Sequence, residues 1–502
     1  MTATAAANLR FDWRRWLKPA LFAAALTAFV AAGVLATLIF PPAALLFVTP
    51  LAVVIAIKAP PMRAAPKSVV MPLIYLSVLL LPLWPVYIHL KPGPLPILTP
   101  PRLLLYALST LWAYDMVVSP LRRGQLASAL KRGRWLAIPI AILFVLGLIS
   151  LPMAEGRTLA APEFIRQVII WLAPFLAFAT YVRRPRQLKT IVALLAIAAG
   201  ISGAGAVAEF LSGRLLANLL SPFIGAGGAE WLEIAKAEKV RDGVFRAQFT
   251  HTHPLSLGEF LAIMSPVAFS FALFEKCAVR RALWGLCLAF ILAGAWATNS
   301  RASLLVIALA LAVCIAFYAF RVMRTAGAWR LKPAAALAAL LLALGSPLIA
   351  AGAYKVVVGE AGQSTARSSQ TRLDQIEQAW PKIKERLVGG YGAGRAARVL
   401  GFWGRALTID NYYLTLALDL GLPGPLAFLA VIFGMGVLSA RGARSSVPGM
   451  SAVYVGLAGA AGGFLIMRSV VSQTGNLSIV FVLLGAMAGV AAMRGRKTWR
   501  TG

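Results

Sequence analysis

Charge is scarce in this 502-residue chain, at 13% of residues, and negative charge is scarcer still, with 17 Asp and Glu against 49 Lys and Arg. A soluble domain carries about a quarter charged residues, because it must present a wetted surface. A chain that is 60% hydrophobic has too little polar surface to do so. Cysteine is nearly absent. Cys277, Cys287 and Cys314 lie in or beside apolar runs, which excludes a disulfide framework and gives no metal-ligand spacing. There are three histidines, and two of them, His251 and His253, flank Thr252. A metal pair would need a third ligand, and none is near in sequence, so they read as structural or substrate hydrogen-bonding groups. No internal repeat and no low-complexity linker divides the chain, so residues 1–502 read as one transmembrane domain.

What the sequence has in abundance is apolar runs near 20 residues, the length that crosses a bilayer as a helix. Fourteen are expected, at 20–40, 43–57, 69–90, 103–118, 135–151, 164–182, 191–211, 254–274, 282–297, 302–320, 334–353, 411–438, 451–471 and 477–493. Pro82 and Pro85 are expected to kink the third. The first run follows Arg14, Arg15 and Lys18 but is too long for a signal-peptide core, so it reads as a retained span. The fold class is all-α and polytopic, with a large periplasmic loop.

The net charge of +32 suggests nucleic acid until the charges are located. Most Lys and Arg fall in every second short loop, which is the signature of membrane insertion with the basic loops inside. Both termini are then cytoplasmic. Two long intervals fall outside, at 212–252 and 353–410. Both carry Lys and Arg against that bias, among them Lys239, Arg246, Arg372, Lys382 and Arg395. Arginine presents a planar fork suited to phosphate oxygens, so a phosphorylated substrate is the expected ligand and headgroup neutralisation the alternative.

Within the larger loop, Leu373, Ile376, Trp380, Ile383 and Leu387 recur every three or four residues. The segment Ser369–Leu387 reads as an amphipathic helix lying on the membrane or over a cavity, kinked or restarted at Pro381. A glycine-rich stretch follows, Gly389–Gly394, read either as a flexible connector or as part of a site. Ionisable groups within membrane spans are costly and so are site candidates. Glu259, Arg301, Asp410 and Arg468 all fall at the outer third of the membrane on this topology. Asp115, Asp419 and Glu209 fit that pattern less well. Asp410, just ahead of an apolar run, could also act as a helix N-cap.

Three stretches resemble the O-antigen ligase and polymerase superfamily. They are Arg246-Ala247-Gln248-Phe249-Thr250-His251-Thr252-His253-Pro254, the turn Thr298-Asn299-Ser300-Arg301, and Gly389-Gly390-Tyr391-Gly392-Ala393-Gly394 ahead of Asp410-Asn411-Tyr412-Tyr413-Leu414. The resemblance runs from about Arg246 to Gly424. It implies a GT-C-like, inverting, metal-independent glycosyltransferase without cofactor, using an undecaprenyl-pyrophosphate-linked glycan as donor and another as acceptor. The family's two arginines fall on Arg246 and Arg301, which would hold the pyrophosphate. Asp410 stands where the ligase branch has a histidine, and would take the proton of the acceptor hydroxyl. Phe249 replaces the family's glycine.

These residues lead to an expected polymerase of surface-polysaccharide repeat units at the periplasmic face of a bacterial inner membrane. Asp410, Arg301 and Arg246 are the expected catalytic groups. His253, Arg372, Arg468, Glu259, Asn411 and Tyr412 are the expected substrate contacts. A chain-length regulator protein could partner it. The alternatives are an O-antigen ligase, a protein O-oligosaccharyltransferase, or a flippase for lipid-linked oligosaccharide.

Overall fold

The computed structural model describes residues 64–85, 87–89, 98–220, 236, 239–241, 243–324, 362–401, 409–443 and 449–493, all within one unit, Met62–Gly502. Three expected spans, 20–40, 43–57 and 334–353, lie outside the described residues.

Within them the apolar runs are helices. They are α1 (Lys67–Leu83), α2 (Pro100–Val118), α3 (Pro120–Arg132), α4 (Arg134–Met153), α5 (Arg157–Gln167), α6 (Ala173–Tyr181), α7 (Pro185–Ser212), α8 (Leu216–Leu220), α9 (Pro254–Phe274), α10 (Ala278–Ala297) and α11 (Arg301–Arg324). Then follow α12 (Gly362–Glu385), α13 (Ala396–Val399), α14 (Tyr412–Leu420), α15 (Pro423–Gly442), α16 (Met450–Met467) and α17 (Leu477–Ala491). A π turn, Val168–Leu172, joins α5 to α6. Two short strands, β1 (Val240–Arg241) and β2 (Val244–Phe245), pair antiparallel in the first long loop.

Eight spans among the described residues are long and apolar enough to cross a membrane, and a ninth if the bent pair α2 and α3 is one span. Helices α1 and α17 are apolar but shorter. The molecule is therefore an all-α, multi-pass membrane protein. The expected count of fourteen is larger than the described residues supply.

Two expected boundaries are corrected. The run 411–438 is not one helix: it breaks at Gly421, whose φ of 78° leaves the helical region, into short α14 and membrane-length α15. The basic loop after α2 is itself helical, with α3 bent 110° away after Ser119 and Pro120. Proline has no N–H and disfavours helix in the residue before it, so the axis turns there.

Helices α9 and α16 form the centre, 78% and 83% buried over their apolar windows, against 17% for α10. Small residues let them approach closely. A Cβ on Gly459 of α16 would collide with Pro266 of α9, and one on Gly294 of α10 with the Gly203 backbone of α7. Helix α15 packs on both α4 and α16. The long loops meet one end of this bundle, where α4, α10 and α16 finish and α9, α11 and α15 begin.

Candidate functional site

The sequence motifs converge on the first turns of α9. His253 caps it, its Nδ1 accepting the Leu255 N–H at 3.1 Å. A Cβ on Gly258 would collide with the side chain of Ser303, which lies in the first turn of α11. The motif glycine thus lets the Thr298–Arg301 turn sit against α9. Arg246 joins that turn directly, its Nε donating to the Thr298 carbonyl at 3.0 Å, while Arg301 opens α11 in the same turn. The two arginines expected to hold the pyrophosphate, far apart in sequence, thus both adjoin the Thr298–Arg301 turn.

The backbone just after Arg246 is held by a residue whose role the sequence left open. Glu209, near the end of α7, accepts the N–H groups of Gln248 at 2.9 Å, Phe249 at 2.7 Å and Leu216 at 2.6 Å. Its span position was the one available signal, since a buried acid in an apolar run needs partners. Phe249 has φ 48°, a left-handed conformation that favours glycine. The resemblance places a glycine at this position, which such a backbone suits. Its ring fills the space over Gly205, where a Cβ would strike it.

The surroundings of Arg246 are positively charged. Burial, and then the charges of Arg246 and Lys239, lower the pKa of His253 to about 4. Lys239 is pushed below its ordinary value by burial and by Arg246. His253 is thus a neutral imidazole at pH 7. His251, buried and stacked on Phe260, is also lowered to about 4. Among the described residues no group of three His, Cys, Asp or Glu could hold a metal ion.

The other half of the site hangs from the neighbouring residue of α9. Glu259 pairs with Arg468, at the end of α16, at 2.5 Å, and both side chains are at 0% exposure. Asn476 Nδ2 donates to Glu259 at 2.9 Å, and Arg468 Nη1 donates to the Gln473 carbonyl at 2.7 Å. The Arg468 guanidinium lies 5.1 Å from the Tyr412 ring centre. Its carbonyl accepts the Tyr412 N–H at 2.9 Å. Sequence reasoning made Arg468, Glu259 and Tyr412 substrate contacts. All three are buried, and Glu259 and Arg468 are paired with each other.

Asp410 is carried on this support. It is not the helix cap: Asn411 is, its Oδ1 accepting the Leu414 N–H at 3.2 Å. Asn411, expected to touch substrate, is thereby engaged in capping. The Asp410 carboxylate is partly exposed and lies 3.7 Å from Arg372 Nη2 of α12. Its N–H donates to Gln375 Oε1 at 3.0 Å. Burial raises its pKa above the ordinary carboxylate range, and Arg372 opposes the rise. An unspent carboxylate of raised pKa beside a cation is suited to accept a proton.

Helix α12 continues through Pro381 as one helix, without the restart offered as an alternative. The glycine-rich turn is fixed rather than flexible. Asp419, set aside by the sequence reading, accepts the N–H groups of Gly394 and Arg395 at 2.9 Å and Ala396 at 2.7 Å. Gly390 has φ 55°, and a Cβ there would strike the Asp419 backbone. Below the turn is a cavity of about 90 Å³ lined by Glu163, Gln167, Trp171, Tyr412 and Asp419. A benzene-sized cavity is about 150 Å³, so this one suits a few waters and not a sugar ring.

No curated protein matches the sequence. Residues 285–429, which hold Arg301, the glycine-rich turn and Asp410, match the family model described as O-antigen ligase. That match supports the O-antigen ligase/polymerase superfamily for residues 285–429, a family of membrane enzymes of glycosyltransferase type that act on lipid-linked glycans.

Proposed function

We propose that this protein is an inverting, metal-independent polymerase of lipid-linked oligosaccharide repeat units, working at the periplasmic face of a bacterial inner membrane. The donor is a glycan on undecaprenyl pyrophosphate. Arg246 and Arg301 grip its pyrophosphate, with Lys239 and neutral His253 beside them. Arg372 adjoins Asp410 and steers the acceptor. The acceptor hydroxyl attacks the donor's anomeric carbon from the face opposite the pyrophosphate. Its proton passes to the Asp410 carboxylate as the carbon–oxygen bond to phosphate breaks. The leaving pyrophosphate takes the electron pair, and the two guanidiniums stabilise its growing charge.

The observation that carries this reading is Asp410: a carboxylate freed from capping by Asn411, in the motif position where the ligase branch has histidine. A carboxylate base in place of an imidazole favours the polymerase over the ligase. The decisive assay gives purified protein in detergent a lipid-linked repeat unit. Wild type lengthens the glycan into a ladder, while Arg301→Ala and Asp410→Asn do not, at equal protein level. Transfer to a lipid A core instead would make it a ligase. An unlengthened glycan with wild-type protein would favour a flippase, which makes no bond.

A further inference from the structure

Helix α12 has three faces. At ~100° per residue, Gln375, Ala379 and Ile383 form one of them. It is buried: Gln375 holds the Asp410 N–H, while Ala379 and Ile383 pack on Ile409, Ala417 and Leu418. Gln378 and Glu385 form a second face, polar and exposed. Leu373, Ile376 and Trp380 form the third, apolar and 45–53% exposed. Of the apolar repeat read from the sequence, Ile383 packs inward while Leu373, Ile376 and Trp380 stay exposed.

The second half of this helix is pinned to the ends of membrane helices. At its middle, Arg372 and Gln375 hold Asp410, two residues before Tyr412 bonds to Arg468 at the end of α16. Just past its end, the Leu387 carbonyl accepts the Leu422 N–H at 2.9 Å, one residue before α15. Arg386 Nη1 donates to the Met153 carbonyl at 2.8 Å, at the end of α4. Tied down at its middle and its end, this half lies along the bundle end and does not stand up from it.

The third face has a continuation. Past Trp380 come Leu387 and Val388, 48% and 63% exposed, beside Met153 and Leu422. From Met153 an exposed apolar row descends α4 through Ile149, Val145, Ile142 and Ile138. From Leu422 another descends α15 through Leu426, Leu429 and Phe433. Helices α4 and α15 pack together, and in a membrane protein such exposed rows face lipid.

We infer that α12 is an interfacial membrane helix: Leu373, Ile376, Trp380, Leu387 and Val388 sit among the phospholipid acyl chains of the leaflet at this end of the bundle. Its seating there holds Arg372 and Gln375 against Asp410. The occupant is the bilayer because the exposed apolar residues resume at Leu387 and Val388, beside the lipid-facing rows of α4 and α15. Hydrocarbon burial of such a stripe is the usual anchor of an interfacial helix, with cationic residues such as Lys384 at its border.

The test uses the full-length wild-type protein in vesicles of phosphatidylethanolamine and phosphatidylglycerol carrying a photoactivatable group on the acyl chain. Adducts are mapped by mass spectrometry, and a parallel sample is footprinted with hydroxyl radicals. The expected result is lipid adducts at Leu373, Ile376 and Trp380 at the level found for Leu426 and Phe433, with radical labelling at Gln378 and Glu385. Radical labelling of the stripe without lipid adducts would overturn the inference. So would lipid adducts that vanish when undecaprenyl phosphate is added, since the stripe would then be the site of a polyprenyl chain. Neither readout depends on the reaction catalysed. The seating is tested separately by Leu373→Ser/Ile376→Ser/Trp380→Ser, whose loss of lipid adducts at Leu387 and Val388 is the expected outcome and whose retention of them counts against it.

Discussion

The buried pair Glu259–Arg468 makes the sharpest demand on the structure. Both side chains are at 0% exposure and 2.5 Å apart, and their partners Asn476, Gln473 and Tyr412 lead on to Asp410. Two unit charges centred about 4 Å apart attract by roughly 4 kcal/mol at an effective dielectric of 20. Most of that repays their desolvation, so the pair adds little net stability while intact. Removing one partner strands the other charge and costs about 3–5 kcal/mol. That is a large share of a total stability of about 5–15 kcal/mol. Arg468→Ala and Glu259→Gln should each lower the thermal midpoint in detergent and the yield of monodisperse protein. The double variant Glu259→Leu/Arg468→Met should regain most of both, because no charge is stranded. A thermal midpoint unchanged in Arg468→Ala, with donor binding lost, would refute the structural assignment and return Arg468 to the substrate. A double variant worse than either single would refute the stranded-charge argument.

Asp410→Asn should cut elongation by about 10²–10⁴, the usual contribution of a general base, at unchanged protein level measured by quantitative immunoblot. The base works only when ionised, so elongation should rise with pH through an acid limb above the ordinary carboxylate value of about 4. Arg372→Ala removes the charge that opposes the rise, and should move that limb to higher pH. Gly205→Ala should destabilise by about 1–3 kcal/mol through its clash with Phe249. Adding Phe249→Gly should relieve both the clash and the left-handed backbone, and a melting series on the two singles and the double checks this. Asp419→Ala leaves three N–H groups, two of them buried, without their acceptor, so the segment Gly389–Ala396 should lose protection in amide hydrogen exchange before α14 does.

Much of the architecture was legible because lipid imposes a simple rule. Apolar runs near 20 residues had to be helices, and runs such as 254–274 were placed to the residue. The run 411–438 was misread because hydropathy reports burial and not direction. Gly421 interrupts the helix without interrupting the apolar pattern. The arginines of the site were visible as charges that oppose the insertion bias. The acids were visible only as anomalies, and the structure sorts them by what each one touches.

The sequence by itself determined the class of molecule, most of the apolar helices among the described residues, and the candidates Arg246, Arg301 and Asp410, because hydrophobic length and charge position are properties of a linear chain. Only the tertiary structure decided which ionisable groups are free to act. Glu259 and Arg468 are spent on each other, Glu209 and Asp419 on backbone amides, and Asn411 on a helix end, which leaves Asp410 partly exposed beside Arg372. The reason is physical: a buried charge must find a partner, and a partner as distant as Asn476 is from Glu259, 217 residues, is chosen by packing.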